Sequence, residues 1–499
     1  MLDLVIAGGT LVDGTGAPAQ GLDLGVQGDC IAVLGDLSAT PAHRRVDARG
    51  LIVAPGFIDI HTHHNDEMDG GIEHIPAADN YLRQGVTTCV AGNCGGAAFP
   101  IGPHLDRVDR LEIRSNYAVL VGCNTARHAV LTEERPATGA ELERMVALVR
   151  EGFEEGALGL SSGVAYSPFL TTTELIAMAG VAAGYGSFYA SHIRSEGDGL
   201  LEAIIELIDV VRHSGAGGEI SHIKCYGRDH WGKAEQALAL VEAARAEGLD
   251  VTADQYPYTG CFTGLAGTLF GQETTLRAYR QGGMDRLLAA PLRAEAEARF
   301  AARYELLDQG EGIILAPLEP HPEFQGKTLA EYLREQGGDP FAATVGLCGQ
   351  GHISAIYLAM CEDDVVTYMR SPHVMVGSDG HLRVFGKSFS HPRNFGTFPR
   401  VLARYVRDQG VLTVEQAVHK MTAMPARRSG LRRRGRLAPG YIADITVFDP
   451  RTVQDHATFR DGNAYATGIE LVLLAGQTAL AHDQPSPAGH GRVLRRGEG

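Results

Sequence analysis

Apolar residues follow two rhythms along this chain. Near both ends they alternate with polar residues and break at glycine turns, as strands do. "DLVIAGGTLVDGTG" turns at Gly8, Gly9 and Gly14, and "GLDLGVQGDCIAVLG" repeats the style. "ADITVFDP" (443–450) and "GIELVLLAGQTAL" (468–480) return to it near the far end. Strand-rich ends around a helical middle predict one small β-sandwich domain built from residues 1–55 and 436–482. The Pro-, Gly- and Arg-rich stretch 483–499 reads as a mobile tail.

The middle alternates strand and helix patterns. Eight apolar segments end in polar or glycine residues: "FIDIHTH" (57–63), "VTTCVAGNCG" (86–95), "NYAVLVGC" (116–123), "ALGLSSG" (157–163), "SFYASHIR" (187–194), "GEISHIK" (218–224), "VTADQYPY" (251–258) and "HVMVGSDG" (373–380). Helical periodicity fills the gaps, for instance over 141–155, 173–183 and 234–246. The pattern predicts an α/β fold, a (β/α)8 TIM-like barrel over 56–435. The gap between Tyr258 and His373 exceeds any crossover, which places an inserted subdomain at about 263–346.

Composition narrows the function. At 499 residues, the chain is too long for one compact core. Its 44 basic and 60 acidic residues give a formal net charge of -16, a surface that repels phosphate backbones and argues against nucleic acid as a partner. No apolar run is long enough to span a bilayer, and the start lacks a basic region and a small-residue cleavage site. The eight cysteines are scattered with no C-x-x-C pair, as expected of reduced thiols in a cytoplasmic protein.

Barrel active sites lie at the C-terminal ends of the strands, and unusual polar residues gather there. His61 and His63 close the first segment, where i and i+2 share a face. Cys94 closes the second, His192 the fifth, His222 the sixth and Asp379 the eighth. Each alone has a bland reading: an H-x-H can be polar strand ends, a buried cysteine a small hydrophobe, and "GSDG" a turn. Together, at one end of successive strands, imidazole, thiolate and carboxylate point to zinc.

These residues also carry a resemblance. "PGFIDIHTH", "GNCG", "YASHIRSE", "ISHIK", "YPY", "GSDG", "HPRNFGTFPRVL" and "GRLAPGYIADITVFDP" resemble the D-aminoacylase (N-acyl-D-amino-acid deacylase) family of the amidohydrolase superfamily, over about residues 4–480. The most specific element is Cys94, standing where most binuclear relatives carry a carboxylated lysine or a glutamate. The resemblance implies zinc-dependent hydrolysis of N-acyl-D-amino acids. It implies a tight metal position at Cys94, His192 and His222, and a weaker one at His61, His63 and Asp379 that need not be filled. Asp379 is expected to take a proton from the attacking water and pass it to the leaving nitrogen. The resemblance gives Lys224, Tyr256 and Arg393 to the substrate α-carboxylate. Arg194 is placed similarly, as part of that clamp or as a support behind it.

Three departures from the family pattern border the substrate: His64-Asn65-Asp66 after H-T-H, an enlarged stretch between Asp379 and Arg393, and bulky Phe262. The loop 259–265 carries no basic residue, and Phe262 offers apolar surface, so neutral apolar side chains are expected over acidic ones. Arg383 and Lys387 are the residues that could reverse this. The D hand rests on the resemblance alone. Alternatives are a dipeptidase acting on a D-residue terminus and a cyclic amidohydrolase of the dihydropyrimidinase or allantoinase type. A scaffold without catalysis would not need every ligand position filled. The expected partner is a small N-acyl amino acid, with room for a homo-oligomer.

Overall fold

The computed structural model describes all residues except 66–70, 134, 317–320, 388 and 498–499. Eight strands form one parallel sheet: β1 (Phe57–Asp59), β2 (Val86–Ala91), β3 (Asn116–Gly122), β4 (Gly159–Gly163), β5 (Phe188–His192), β6 (Gly217–Ile220), β7 (Val251–Gln255) and β8 (Val374–Val376). Each pairs with its sequence neighbours, as in a (β/α)8 barrel. Closure happens just beyond the first and last strands. Thr62 bridges Gly380, the His63 N–H donates to the Gly380 carbonyl at 2.8 Å, and the Asp379 N–H donates to that of His61 at 2.8 Å. The seam of the barrel therefore runs between His61, His63 and Asp379.

The crossover helices begin where local chemistry tells them to. Thr138 with Glu141 and Thr171 with Glu174 form capping boxes that start Gly139–Glu154 and Thr172–Gly184. Helix Ala234–Ala246 buries Ala237, Leu238, Val241 and Ala244, the spacing of one apolar face. These faces pack on the barrel strands in one continuous core.

Both ends of the chain build the flanking β structure. Strand Ile445–Phe448 pairs antiparallel with Ile52–Pro55, and Ile469–Leu474 extends the sheet. A second sheet contains Leu2–Ala7, Asp23–Gln27, Cys30–Gly35 and Ala42–Asp47. Leu4, Ile6 and Leu24 from one sheet and Val53, Ile445 and Leu471 from the other share a core.

The insertion after β7 is larger than the expected 263–346. Its sheet needs Cys261–Gly264 at one end and Ser354–Tyr357 at the other, paired antiparallel, with Ile313–Leu315 on the far edge. It also has its own core, including Phe270, Phe300 and Phe341. Among its described residues, the tail expected to be mobile is instead packed. Arg492 and Leu494 exchange backbone hydrogen bonds with Tyr117, and the Leu494 side chain packs with Ile58, Val90 and Leu120. An apolar pair, Val493–Leu494, hidden in a polar composition outweighs the composition.

Candidate metal and substrate site

Except for His192, the last residue of β5, the donor residues lie just past the strand ends. Cys94, His222 and Asp379 adopt left-handed backbone at φ 53°, 37° and 53°. Such conformations cost a non-glycine residue about 1 kcal/mol or more, and they cluster where a side chain must be aimed. His222 and Lys224 both lie beyond β6, which stops at Ile220, so they do not share a strand face. They meet through the turn instead, with Lys224 Nζ 2.8 Å from His222 Nδ1.

The turn "GNCG" is held from three sides. The Gly92 N–H donates to Asn65 Oδ1 at 2.7 Å, the Gly95 N–H to Ser161 Oγ at 3.1 Å, and Asn93 Nδ2 to the Val90 carbonyl at 3.0 Å. A Cβ at Gly95 would collide with Asn124, and one at Gly163 with the Cys94 carbonyl. Asn65 thus has a positional role; its neighbour Asp66 lies outside the described residues.

Cys94 Sγ occupies the centre. It is 3.3 Å from His222 Nε2, 3.8 Å from His192 Nδ1 and 3.5 Å from His61 Nε2. Asp379 Oδ1 is 2.9 Å from His63 Nε2 and 3.5 Å from His61 Nε2. The donor atoms form two groups, His61–His63–Cys94–Asp379 and Cys94–His192–His222, each spanning no more than 4.8 Å. Cys94 belongs to both. One thiol, four imidazoles and a carboxylate fit zinc, which takes nitrogen, sulfur and oxygen donors. Burial lowers His61 and His192 to about 3 and His222 to about 4, so these imidazoles are neutral, the ligating form. Burial, reinforced by Asp379, pushes the Cys94 thiol well above its usual value. It needs a cation nearby to ionise.

Two carboxylates that the motifs did not flag buttress this cluster. Glu196 Oε1 lies 3.0 Å from His222 Nδ1 and pairs with Lys224, while its Oε2 is 3.8 Å from His192 Nε2. Asp254 faces His61 Nδ1 at 3.1 Å and accepts the His222 backbone N–H at 2.9 Å. Carboxylates behind ligand imidazoles fix ring orientation and tautomer. Their signal in the sequence was a lone acid inside the apolar strand "VTADQ" and another just past His192 in "HIRSE".

Three residues expected at a carboxylate clamp line the same cavity of about 1500 Å³. The Tyr256 ring lies between two cations, 5.1 Å from the Arg393 guanidinium and 5.6 Å from Lys224 Nζ. Its buried hydroxyl has no hydrogen-bond partner among the described residues. Arg393 Nη1 donates to Asp379 Oδ2 at 2.6 Å. Burial alone would raise the Asp379 carboxyl, but the Arg393 guanidinium and the hydrogen bond to His63 outweigh it and hold it well below the usual range. Arg194 also lines this cavity, and of its two expected roles the contacts favour the supporting one. Its guanidinium donates to Glu206 at 2.8 and 2.9 Å and to the Pro168 and Leu170 carbonyls, so it braces the loop behind β5. Arg383 is buried beside His381 and Lys387 is exposed; neither lines the cavity.

A parallel barrel with thiol, imidazole and carboxylate donors at the C-terminal ends of its strands defines a metal-dependent amidohydrolase. A model described as the amidohydrolase family matches residues 275–480. The N-acyl-D-glutamate deacylase of Alcaligenes xylosoxydans xylosoxydans is 38% identical over 99% of this chain and 97% of its own length. The D-aminoacylase of the same organism is 36% identical over 99% and 98%. Among solved structures, the N-acyl-D-glutamate deacylase of Bordetella bronchiseptica, complexed with zinc and a phosphonate mimic of the tetrahedral intermediate, is 36% identical with a TM-score of 0.85 and covers 99% of each chain. The chain belongs to the D-aminoacylase family, the N-acyl-D-amino-acid deacylases, within the amidohydrolases. A dihydropyrimidinase of Brevibacillus agri, at 16% identity and TM-score 0.59, shares the fold.

Proposed function

We propose that this protein hydrolyses the amide bond of N-acyl-D-amino acids, releasing a carboxylate and the free D-amino acid, with zinc as its metal. The observation that carries the reading is the position of Cys94 between two sets of imidazoles, beside an Asp379–Arg393 pair and a tyrosine flanked by cations. Cys94, His192 and His222 would hold the tight zinc; His61, His63 and Asp379 would complete a second position. Zinc held there would supply Lewis acidity, which would make water a nucleophile at neutral pH and polarise the amide carbonyl. Asp379 takes the proton from that water and delivers it to the departing nitrogen, which is otherwise a very poor leaving group. Glu196 and Asp254 keep the imidazoles turned toward the thiolate. The eight free thiols support a cytoplasmic location.

Lys224, Tyr256 and Arg393 bind the α-carboxylate in this reading. Both cations are already paired, Lys224 with Glu196 and Arg393 with Asp379, so the substrate carboxylate shares them. Lys224→Met or Arg393→Met should weaken substrates with a free α-carboxylate by about 1.5–3 kcal/mol, the worth of a charge-assisted hydrogen bond. The corresponding amide-capped substrates should lose much less. Equal losses on both would remove these residues from the clamp.

Phe262 lies beside the clamp, 5.8 Å from the Arg393 guanidinium and 6.2 Å from the His381 ring. With no cation in the loop 259–265 and with Arg383 and Lys387 off the cavity wall, this position takes a neutral, apolar side chain. The test compares kcat/KM for N-acetyl-D-leucine, N-acetyl-D-methionine, N-acetyl-D-glutamate and their L forms. D-leucine and D-methionine derivatives should lead. Preference for the glutamate derivative refutes the side-chain assignment, and preference for L forms refutes the hand.

A further inference from the structure

The cavity wall carries five arginines and lysines. Arg194 pairs with Glu206, Lys224 with Glu196, Arg299 with Glu295 and Arg393 with Asp379. Arg303 has no ion-pair partner among the described residues. It stands on the inserted subdomain, in the helix Arg293–Leu306, half-buried, with its guanidinium over the Tyr226 ring at 5.5 Å. The Tyr226 hydroxyl is buried and has no hydrogen-bond partner among the described residues. Leaving such a group unpaired costs about 1–3 kcal/mol. The same arrangement occurs once more in this cavity, at Tyr256 with Arg393 and Lys224. A cation over a tyrosine ring, with the phenol left as a free donor, is built to receive a carboxylate.

We propose that Arg303 and Tyr226 form a second carboxylate subsite, which takes the distal carboxylate of a dicarboxylic acyl group on the substrate. The inference rests on the deacylase reading above. A substrate has two branches besides its α-carboxylate: the side chain and the acyl group. Phe262 lines the side-chain position and makes it apolar, so the second carboxylate belongs to the acyl branch. Tyr226 fits that geometry. It follows Lys224 by two residues, and its backbone N–H donates to the Glu196 carbonyl at 2.8 Å, which puts it on the His192–His222 side of the cavity.

The test uses the zinc-loaded full-length enzyme and two substrates of equal chain length, N-glutaryl-D-leucine and N-pentanoyl-D-leucine, which differ by a carboxylate in place of a methyl group. The wild type should prefer the glutaryl compound. Arg303→Met should lower the glutaryl-to-pentanoyl ratio of kcat/KM by roughly tenfold, mostly through KM, and Tyr226→Phe by a smaller factor in the same direction. Raising the salt concentration should shrink the wild-type preference, because Arg303 is partly solvated. An unchanged ratio in Arg303→Met overturns the subsite. A loss in Arg303→Met confined to N-acetyl-D-glutamate overturns the acyl assignment and gives the subsite to the side chain. If wild type cleaves N-acetyl-D-leucine but shows no glutaryl preference, the subsite fails and the deacylase reading stands. If it cleaves none of these compounds, both fail.

Discussion

Replacing Cys94 with alanine should strip the tight zinc and nearly all activity together. The thiol has three imidazole nitrogens within 3.8 Å and belongs to both donor groups, so its loss opens both positions at once. Loss of an outer-shell partner alone typically costs ~10- to 100-fold in metal affinity or activity, and loss of the shared ligand should cost at least ~100-fold. The thiol's raised pKa gives the binding a sign in pH. Zinc must displace its proton, so affinity should fall as pH falls and each zinc bound should release protons. The left-handed backbone at residue 94 complicates alanine, so Cys94→Ser, which keeps the size and a weak donor, is the companion variant. Cys123→Ala, at a thiol that is also buried but lies outside the cluster, should keep its metal. Zinc content by plasma emission, beside kcat/KM, checks the set. A Cys94→Ala enzyme that retains one zinc per chain and its turnover would mean that the thiol is not a ligand.

What was legible in the sequence follows from periodicity and from rare residue types in rare places. The eight barrel strands announce themselves as apolar runs ending in polar residues, because a parallel strand is buried on both faces and only its end meets the cavity. The six donors stand out because His, Cys and Asp at such ends need a reason. Glu196 and Asp254 were not found, since a carboxylate behind an imidazole is defined by what it touches and its residue type is common. For Arg194 the sequence leaves clamp and support open for the converse reason. Its place after His192 matches a clamp residue, but Glu206, twelve residues on in a helix, claims its guanidinium. The insertion's limits were too narrow because the strand Ser354–Tyr357 closes a sheet begun at Cys261, a pairing across about ninety residues that no local pattern displays. The tail misled through composition: two apolar residues, Val493 and Leu494, anchor a stretch whose average is polar.

Asp379→Asn should leave the fold and the tight zinc in place and remove most of kcat. Asparagine is the replacement the backbone tolerates, since residue 379 sits at φ 53° and asparagine enters the left-handed region more readily than most residues. Its N–H still closes the barrel seam on the His61 carbonyl, and its amide oxygen can still accept from Arg393 or face His63. The lost function is proton transfer. In the free enzyme the carboxylate is ionised, because Arg393 and the hydrogen bond to His63 hold it below the usual range against the pull of burial. An amide cannot take a proton from water or deliver one to the leaving nitrogen, and a positioned general acid–base group supplies ~100- to 10,000-fold. The deficit should therefore appear in kcat, with KM changing far less. It should also narrow with activated N-acyl substrates whose leaving amine needs little protonation. Tight zinc at the wild-type level, measured on the same sample, separates this from metal loss, because Cys94, His192 and His222 do not include Asp379. Steady-state kinetics with N-acetyl-D-leucine decide the role: a loss confined to KM would make Asp379 a binding residue and require another base for the attacking water.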